Sequence, residues 1–210
     1  MDRVPLFPLG TVVLPGVAVP LRIFEARYRS LLVDLRREPR PEFGVVAIRR
    51  GREAGQTSPE IHGVGCMLRI TSQVDAGGHI EIETLAMRRF RVVRTHDDLA
   101  PYLVGDVTWL EDDDAVPVAM TTRAEAAFRS FARAVGARVD GLPVDPLLLT
   151  AAILDGLDQP IGERQAVLEA GTAAARIRAV TRLCRREEGL ARDLGLRMAT
   201  VASSYRLNQN

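Results

Sequence analysis

Four prolines within the first twenty residues, Pro5, Pro8, Pro15 and Pro20, constrain this chain more than any other feature. Each holds φ near about −65° and removes an N–H that a helix or a central strand needs. The stretch PLFPLGTVVLPGVAVPLRIFEARY, residues 5–28, therefore reads as short, edge-type strands joined by bends. Val12, Val13 and Leu14 before Pro15-Gly16, and Val17, Val19, Leu21 and Ile23 after it, supply the β-branched and apolar positions of a strand. A helix is expected from near Phe24. Phe24, Tyr28, Leu31, Leu32 and Leu35 recur at helical spacing as one apolar stripe, and Arg27, Arg29, Asp34 and Arg36 fall off it.

With 210 residues, 47% of them hydrophobic, the chain can bury a sizeable core as one domain or as two small ones. Its 28 basic and 27 acidic side chains leave a net charge of +1, so the summed field gives no reason to require a polyanionic partner. Every basic residue is arginine, and no lysine occurs anywhere. That absence removes lysine Schiff-base chemistry, a Ser–Lys dyad and the phosphate-reaching lysine of a Walker A loop. Cys66 and Cys184 are too far apart for a disulfide framework and are expected to be buried thiols. The opening MDRVPLFP has no basic start, apolar run and cleavage site, and no stretch reaches the roughly 18 apolar residues that span a bilayer. The expected address is cytoplasmic, with no membrane contact.

Along the chain, Glu38-Pro39-Arg40-Pro41 ends the first helix, residues 43–48 (FGVVAI) make a buried strand, and residues 51–59 make a polar loop. Strands over 64–74 and 79–93 flank Asp75-Ala76-Gly77-Gly78, a hairpin turn in which Ile80 and Ile82 face the core while His79, Glu81 and Glu83 face water. Residues 103–110 offer one more strand. From Glu111 the character changes to helix after an acidic turn, Glu111-Asp112-Asp113-Asp114. Thr122-Arg123-Ala124-Glu125 fits a capping box, Asp145-Pro146 opens a second helix, a third covers about 160–170, and Thr172 caps the fourth. The tail beyond Gly195 is expected to fray.

The opening block PLFPLGTVVLPGVAVPLRIFEARYRSLL resembles the signature of the LON substrate-binding domain, the N-terminal domain of Lon proteases that also occurs as a free-standing bacterial protein and within cereblon. GVGCMLRI and LAMRRFRVV resemble the family's next blocks, and IGERQAVLEAGTAAARIRAVTRLC its helical half, so the likeness covers about residues 4–194. Ala86, Met87 and Arg88 stand where the family usually has a glycine before its Arg-Phe pair, which puts the local bulge in doubt. The resemblance implies an α+β fold: a PUA-like β-barrel with one early helix over 1–116, then a helical bundle over 117–210. It also implies a non-enzymatic module that recognises unfolded or extended protein segments, accessory to ATP-dependent proteolysis through a protease or ATPase partner. No cofactor is expected.

The peptide-groove candidates are Phe7, Pro15, Phe24, Glu25, Arg27, Tyr28 and Arg89, with peptide adding to a strand edge near Pro15 or Pro20 or lying between barrel and helices. For Phe7, Phe24 and Tyr28 the simpler expectation is that they plug a barrel mouth. For Glu25 it is that the carboxylate supports the helix start and pairs with Arg29. His62 and Cys66 are close in sequence, yet no second cluster completes a zinc site. His96-Asp97-Asp98 reads as a surface turn, and no Gly-x-Ser-x-Gly elbow accompanies it. Arg176, Arg178, Arg182, Arg185 and Arg186, with Arg88, Arg89, Arg91 and Arg94, raise a competing reading as a PUA-like nucleic-acid (RNA) binding module. The charge balance, Glu187, Glu188 and Asp193, and the missing aromatic platform disfavour it.

Overall fold

A computed structural model of the chain describes residues 1–51, 59–111 and 115–195. They form an α+β structure in the order β1 (Asp2–Leu9), β2 (Ala18–Ile23), α1 (Ala26–Leu35), β3 (Glu42–Arg50), β4 (Glu60–Asp75), β5 (Ile80–His96), β6 (Val104–Trp109), α2 (Val118–Ala134), α3 (Pro146–Gly156), α4 (Ile161–Glu169) and α5 (Ala173–Leu194). Two compact units divide after Glu111. Most of the 51–59 loop, the acidic run at 112–114 and the tail after Gly195 lie outside the described residues.

In the first unit the strands run in the order β2-β5-β4-β3-β1-β6, and β5 also pairs with β6, so β5, β4, β3, β1 and β6 close a circuit. All pairings are antiparallel except β1 with β3. β1 changes partner part-way: Asp2 to Pro5 pair with β6, and Leu6 to Leu9 pair with β3. Each residue of β1 therefore has a ladder on one side only, which leaves a side where the missing N–H of Pro5 or Pro8 costs nothing. This corrects the expectation of an edge strand, since β1 lies inside the sheet order. Pro20 does lie on an edge, because β2 pairs only with β5.

β5 is divided in the same way. Residues 80–85 carry β2, and residues 90–96 carry β6. Between them Cys66 pairs with Arg89 and Leu68 with Ala86, so Met87 and Arg88 together face Met67. That is a bulge, present although no glycine stands there, and it lies where β5 passes from one neighbour to the other. The hairpin turn follows expectation: Gly77 and Gly78 take φ of 70° and 143°, and Ala76 N–H donates to His79 O at 3.0 Å.

Val12, Val13 and Leu14 are not a strand. They are buried at 3%, 6% and 3% exposure without ladder partners, so their apolarity serves packing. Two apolar clusters result. Val4, Leu6, Val46, Met67, Phe90 and Val107 come from all five strands of the circuit. The Phe90 ring fits among them because Gly44 and Gly65 lie against it: a Cβ at Gly44 would come within 2.6 Å of the ring. On the other face Tyr28, Leu31, Leu32 and Leu35 of α1 pack with Phe7, Phe43, Leu68 and Ile82. Phe7 and Tyr28 therefore belong to the helix-covered layer.

In the second unit α5 packs on α2, α3 and α4, and α2 packs on α3. Asp145 caps α3 as expected, its carboxylate accepting from Leu147 and Leu148 N–H at 2.9 Å each, and Thr172 caps α5 through Ala175 N–H at 3.0 Å. The capping box at Thr122 does not form. α2 starts a turn earlier, after Pro117, and the Thr122 hydroxyl donates to Val118 O at 3.0 Å. A serine or threonine can turn its hydroxyl onto the carbonyl four residues back once the helix continues past it.

Candidate functional site

The end of β1, the end of β2 and the start of α1 converge on a cavity of about 210 Å³. β1 contributes Phe7, Pro8 and Leu9, β2 contributes Pro20, Leu21 and Arg22, and the helix entry contributes Phe24, Glu25 and Tyr28. Its floor is fixed, because Phe7 and Tyr28 are 7% and 3% exposed and stack with ring centroids 4.0 Å apart. Its rim is open: Phe24 is 65% exposed, a large apolar ring left in water.

Glu25 occupies the N-cap position of α1, yet its side chain makes no cap bond. Its carbonyl accepts from the N–H groups of Tyr28 and Arg29, and its carboxylate pairs with Arg27 at 2.8 Å. The Arg27 guanidinium also lies 4.7 Å from the centre of the Tyr28 ring. The expected Glu25–Arg29 pair is thus replaced. Arg29 donates instead to Gly78 O at the hairpin tip.

Phe7, Phe24, Glu25 and Tyr28 are therefore brought together, with Arg27 beside them. Pro15 is buried and outside the lining, and next to it Gly16 takes φ of 86° in the turn leading to β2. Arg89 is also elsewhere. It is 1% exposed on β5, where its carbonyl accepts from Leu110 N–H at 3.1 Å, so it cannot line a surface groove. Pro20, expected only as a strand edge, also lines the cavity, as do Leu21 and Arg22, which the sequence reading did not single out for a site.

The lining is apolar with one charge of each sign from Glu25 and Arg22, and it includes no serine, cysteine or histidine. Such a lining offers mainly apolar contact surface. Other titratable groups are structurally engaged. His96, expected in a surface turn, instead ends β5, and its Nε2 lies 2.8 Å from Asp106, which also accepts from Arg3 at 3.2 Å. The His96 hydrogen bond first, and Arg3 second, hold the Asp106 carboxyl below its ordinary range. Cys66 and Cys184 are buried thiols, and burial pushes Cys184 up to about 12. Among the described residues no group of three or more His, Cys, Asp or Glu side chains is placed to hold a metal, and no helix is long and apolar enough to cross a membrane.

Residues 3–186 match the family described as the ATP-dependent protease La (LON) substrate-binding domain. The chain belongs to the LON substrate-binding domain family. Among curated LON relatives, Lon protease 2 of Myxococcus xanthus is 28% identical over 195 residues, covering 87% of this chain and 23% of the relative. Lon protease 2 of Sorangium cellulosum is 26% identical over 205 residues, covering 89% of this chain and 25% of the relative. The chain thus spans about a quarter of the length of the curated relatives it matches. Among solved structures, a Lon N-terminal domain protein from Xanthomonas campestris superposes with a TM-score of 0.64 at 27% identity, covering 85% of this chain and 96% of that one. The N-terminal domain of the Mycobacterium avium complex Lon protease reaches 0.63 at 18% identity, covering 87% and 98%, and shares the LON fold.

Proposed function

We propose that this LON domain is a non-enzymatic module that grips extended, apolar segments of other proteins at the cavity between β1, β2 and α1. The observation that carries the reading is the pairing of an edge with a pocket. β2 has a strand neighbour on one side only, and Phe24 stands exposed where that strand ends. An extended segment would add main-chain hydrogen bonds along β2 and place an apolar side chain against Phe24, with Phe7 and Tyr28 as a rigid floor. The closed circuit of strands is read as a PUA-like barrel over 1–116, and the helices around α5 as a bundle over 117–210.

The relatives that share this domain are named as Lon proteases. By extension the chain serves ATP-dependent proteolysis in the cytoplasm as an accessory that presents clients to a protease or ATPase partner. The experiment is a peptide array of overlapping segments from unfolded proteins, probed with purified protein and with the Phe24→Asp variant. Binding concentrated in apolar, extended peptides and lost in the variant is expected. Equal binding by the variant, or no preference for such peptides, would overturn the reading.

A further inference from the structure

A second groove, about 370 Å³, lies between α2 and α5 within the helical unit. Its floor is apolar: Ile177 of α5 is 1% exposed and Met120 of α2 is half-buried, with Thr181 beside them. Its rim is four exposed arginines, Arg123 from α2 and Arg178, Arg182 and Arg185 from α5. The two helices run in the same direction, since Arg123 shares the groove with Arg178 and Arg182, and further along both of them Ser130 donates to Glu188 at 2.7 Å. The groove is thus the furrow between two parallel helices, the shape into which the ridge of a third helix packs.

The carboxylates of these helices are committed elsewhere. Glu125 pairs with Arg129 at 2.9 Å, Glu163 and Glu187 pair with Arg186 at 2.6 and 3.0 Å, and Glu188 pairs with Arg192. Among the described residues none of the four groove arginines pairs with a carboxylate. Four like charges around one concavity focus a positive field on whatever enters it.

We propose that this groove docks an acidic amphipathic helix of a partner protein, with three carboxylates turned to α5 and an apolar side chain set on Met120 and Ile177. Arg178, Arg182 and Arg185 step by four and then three residues, so they stand on one face of α5 and rise by about 6 and about 4.5 Å. A helix lying alongside repeats those rises with carboxylates four and three residues apart, and each meets one guanidinium. Same-face side chains of an extended chain recur every ~6.7 Å, so its third carboxylate would overshoot Arg185 by about 3 Å. Arg123 holds the occupant from the other wall, and the apolar floor distinguishes an amphipathic helix from one that is merely acidic. A second copy of this chain does not supply the ligand, because among the described residues no helix carries three Asp or Glu at that spacing. No aromatic ring lines the groove for a nucleobase to stack on.

Fluorescence anisotropy with the full chain tests this, using labelled alanine-rich peptides of about 18 residues, long enough to hold a helix in water. The matched peptide carries glutamates four and three residues apart with one leucine on the same face. The control has the same composition with the glutamates spread around the helix, and circular dichroism checks that both are helical. The matched peptide is expected to bind at least about tenfold more tightly than the control or hexaglutamate, and more weakly as salt is raised. Arg182→Glu should cost about tenfold or more, and changing the middle glutamate of the peptide to lysine should restore binding to that variant. Arg133→Gln, at an exposed arginine of α2 outside the groove, and Phe24→Asp, at the cavity of the first unit, should each leave binding unchanged. Thermal melts establish that each variant is folded. Equal binding of matched and control peptides, tighter binding of hexaglutamate or a short oligothymidylate, equal loss in Arg133→Gln or Phe24→Asp, or no recovery in the charge swap would each overturn the proposal.

Discussion

The rings of Phe7 on β1 and Tyr28 on α1 lie nearly parallel, 27° apart in plane with centroids 4.0 Å apart, so the first strand and the first helix are joined by one aromatic stack. That stack floors the cavity between β1, β2 and α1, while Phe24 stands exposed beside it. The two aromatic positions of α1's entry should therefore separate cleanly under mutation. Tyr28→Ala removes a buried ring and should cost about 3 kcal/mol or more of stability, measured by denaturant unfolding. Phe24→Ala should leave stability within about 0.5 kcal/mol while weakening binding of apolar extended peptides about tenfold, measured by fluorescence anisotropy.

Gly65→Ala should be among the most damaging single-methyl changes in the chain. The added Cβ would meet the Val45 carbonyl oxygen and come within 2.7 Å of the Phe90 ring, and backbone cannot step aside as a flexible side chain can. A loss of about 2–3 kcal/mol is expected by chemical denaturation. Gly63→Ala on the same strand, where no atom lies within 4 Å, is the control and should be nearly silent.

Tyr102 donates its hydroxyl to Asp34 at 2.9 Å, tying the segment before β6 to α1. Burial first, and the Asp34 hydrogen bond second, push its phenol up to about 12. Because the folded value is raised, the stabilisation is complete below the ordinary tyrosine range near about 10 and is lost as pH climbs toward the folded value. Spectrophotometric titration should show Tyr102 ionising late, as the part of the late absorbance change that Tyr102→Phe removes.

At the acid end the sign reverses. Asp106 has a depressed carboxyl held by His96 and then Arg3, so its contribution is present above the ordinary aspartate value near about 3.9 and fades as pH falls through the lower folded value. Asp106→Asn should flatten the acid limb of a stability profile in that window. The effect should be modest, because Arg3 is exposed and its pairing is screened.

Elements were legible wherever local chemistry decided them. Asp145 before Pro146, Thr172 before an alanine run, and the glycines after Asp75 each set a cap or a turn through atoms within three residues. The expectations for Val12 to Leu14, Glu25 and Thr122 failed where the deciding atoms were elsewhere or lay in a choice local rules leave open. Apolar β-branched residues satisfy a buried loop as well as a strand, Glu25 prefers Arg27 over Arg29, and α2 simply begins before its best capping signal. Phe7, Phe24 and Tyr28 line one cavity, in keeping with aromatic residues in a proline-ruled segment having to pack or stand exposed. Arg89 was misplaced because a sequence does not tell an arginine carried on a buried strand from its exposed neighbours Arg88 and Arg91.

The hand-over along β1 also governs when this unit can come together. Leu6 finds its mate at Gly44 but Asp2 only at Val107, so residues 2–5 stay unmatched until sequence about a hundred positions downstream has been synthesised. Ring closure over that separation is entropically slow and falls late in assembly. Until β6 emerges, the first half of β1 would wait on the ribosome with its hydrogen-bonding groups unzipped.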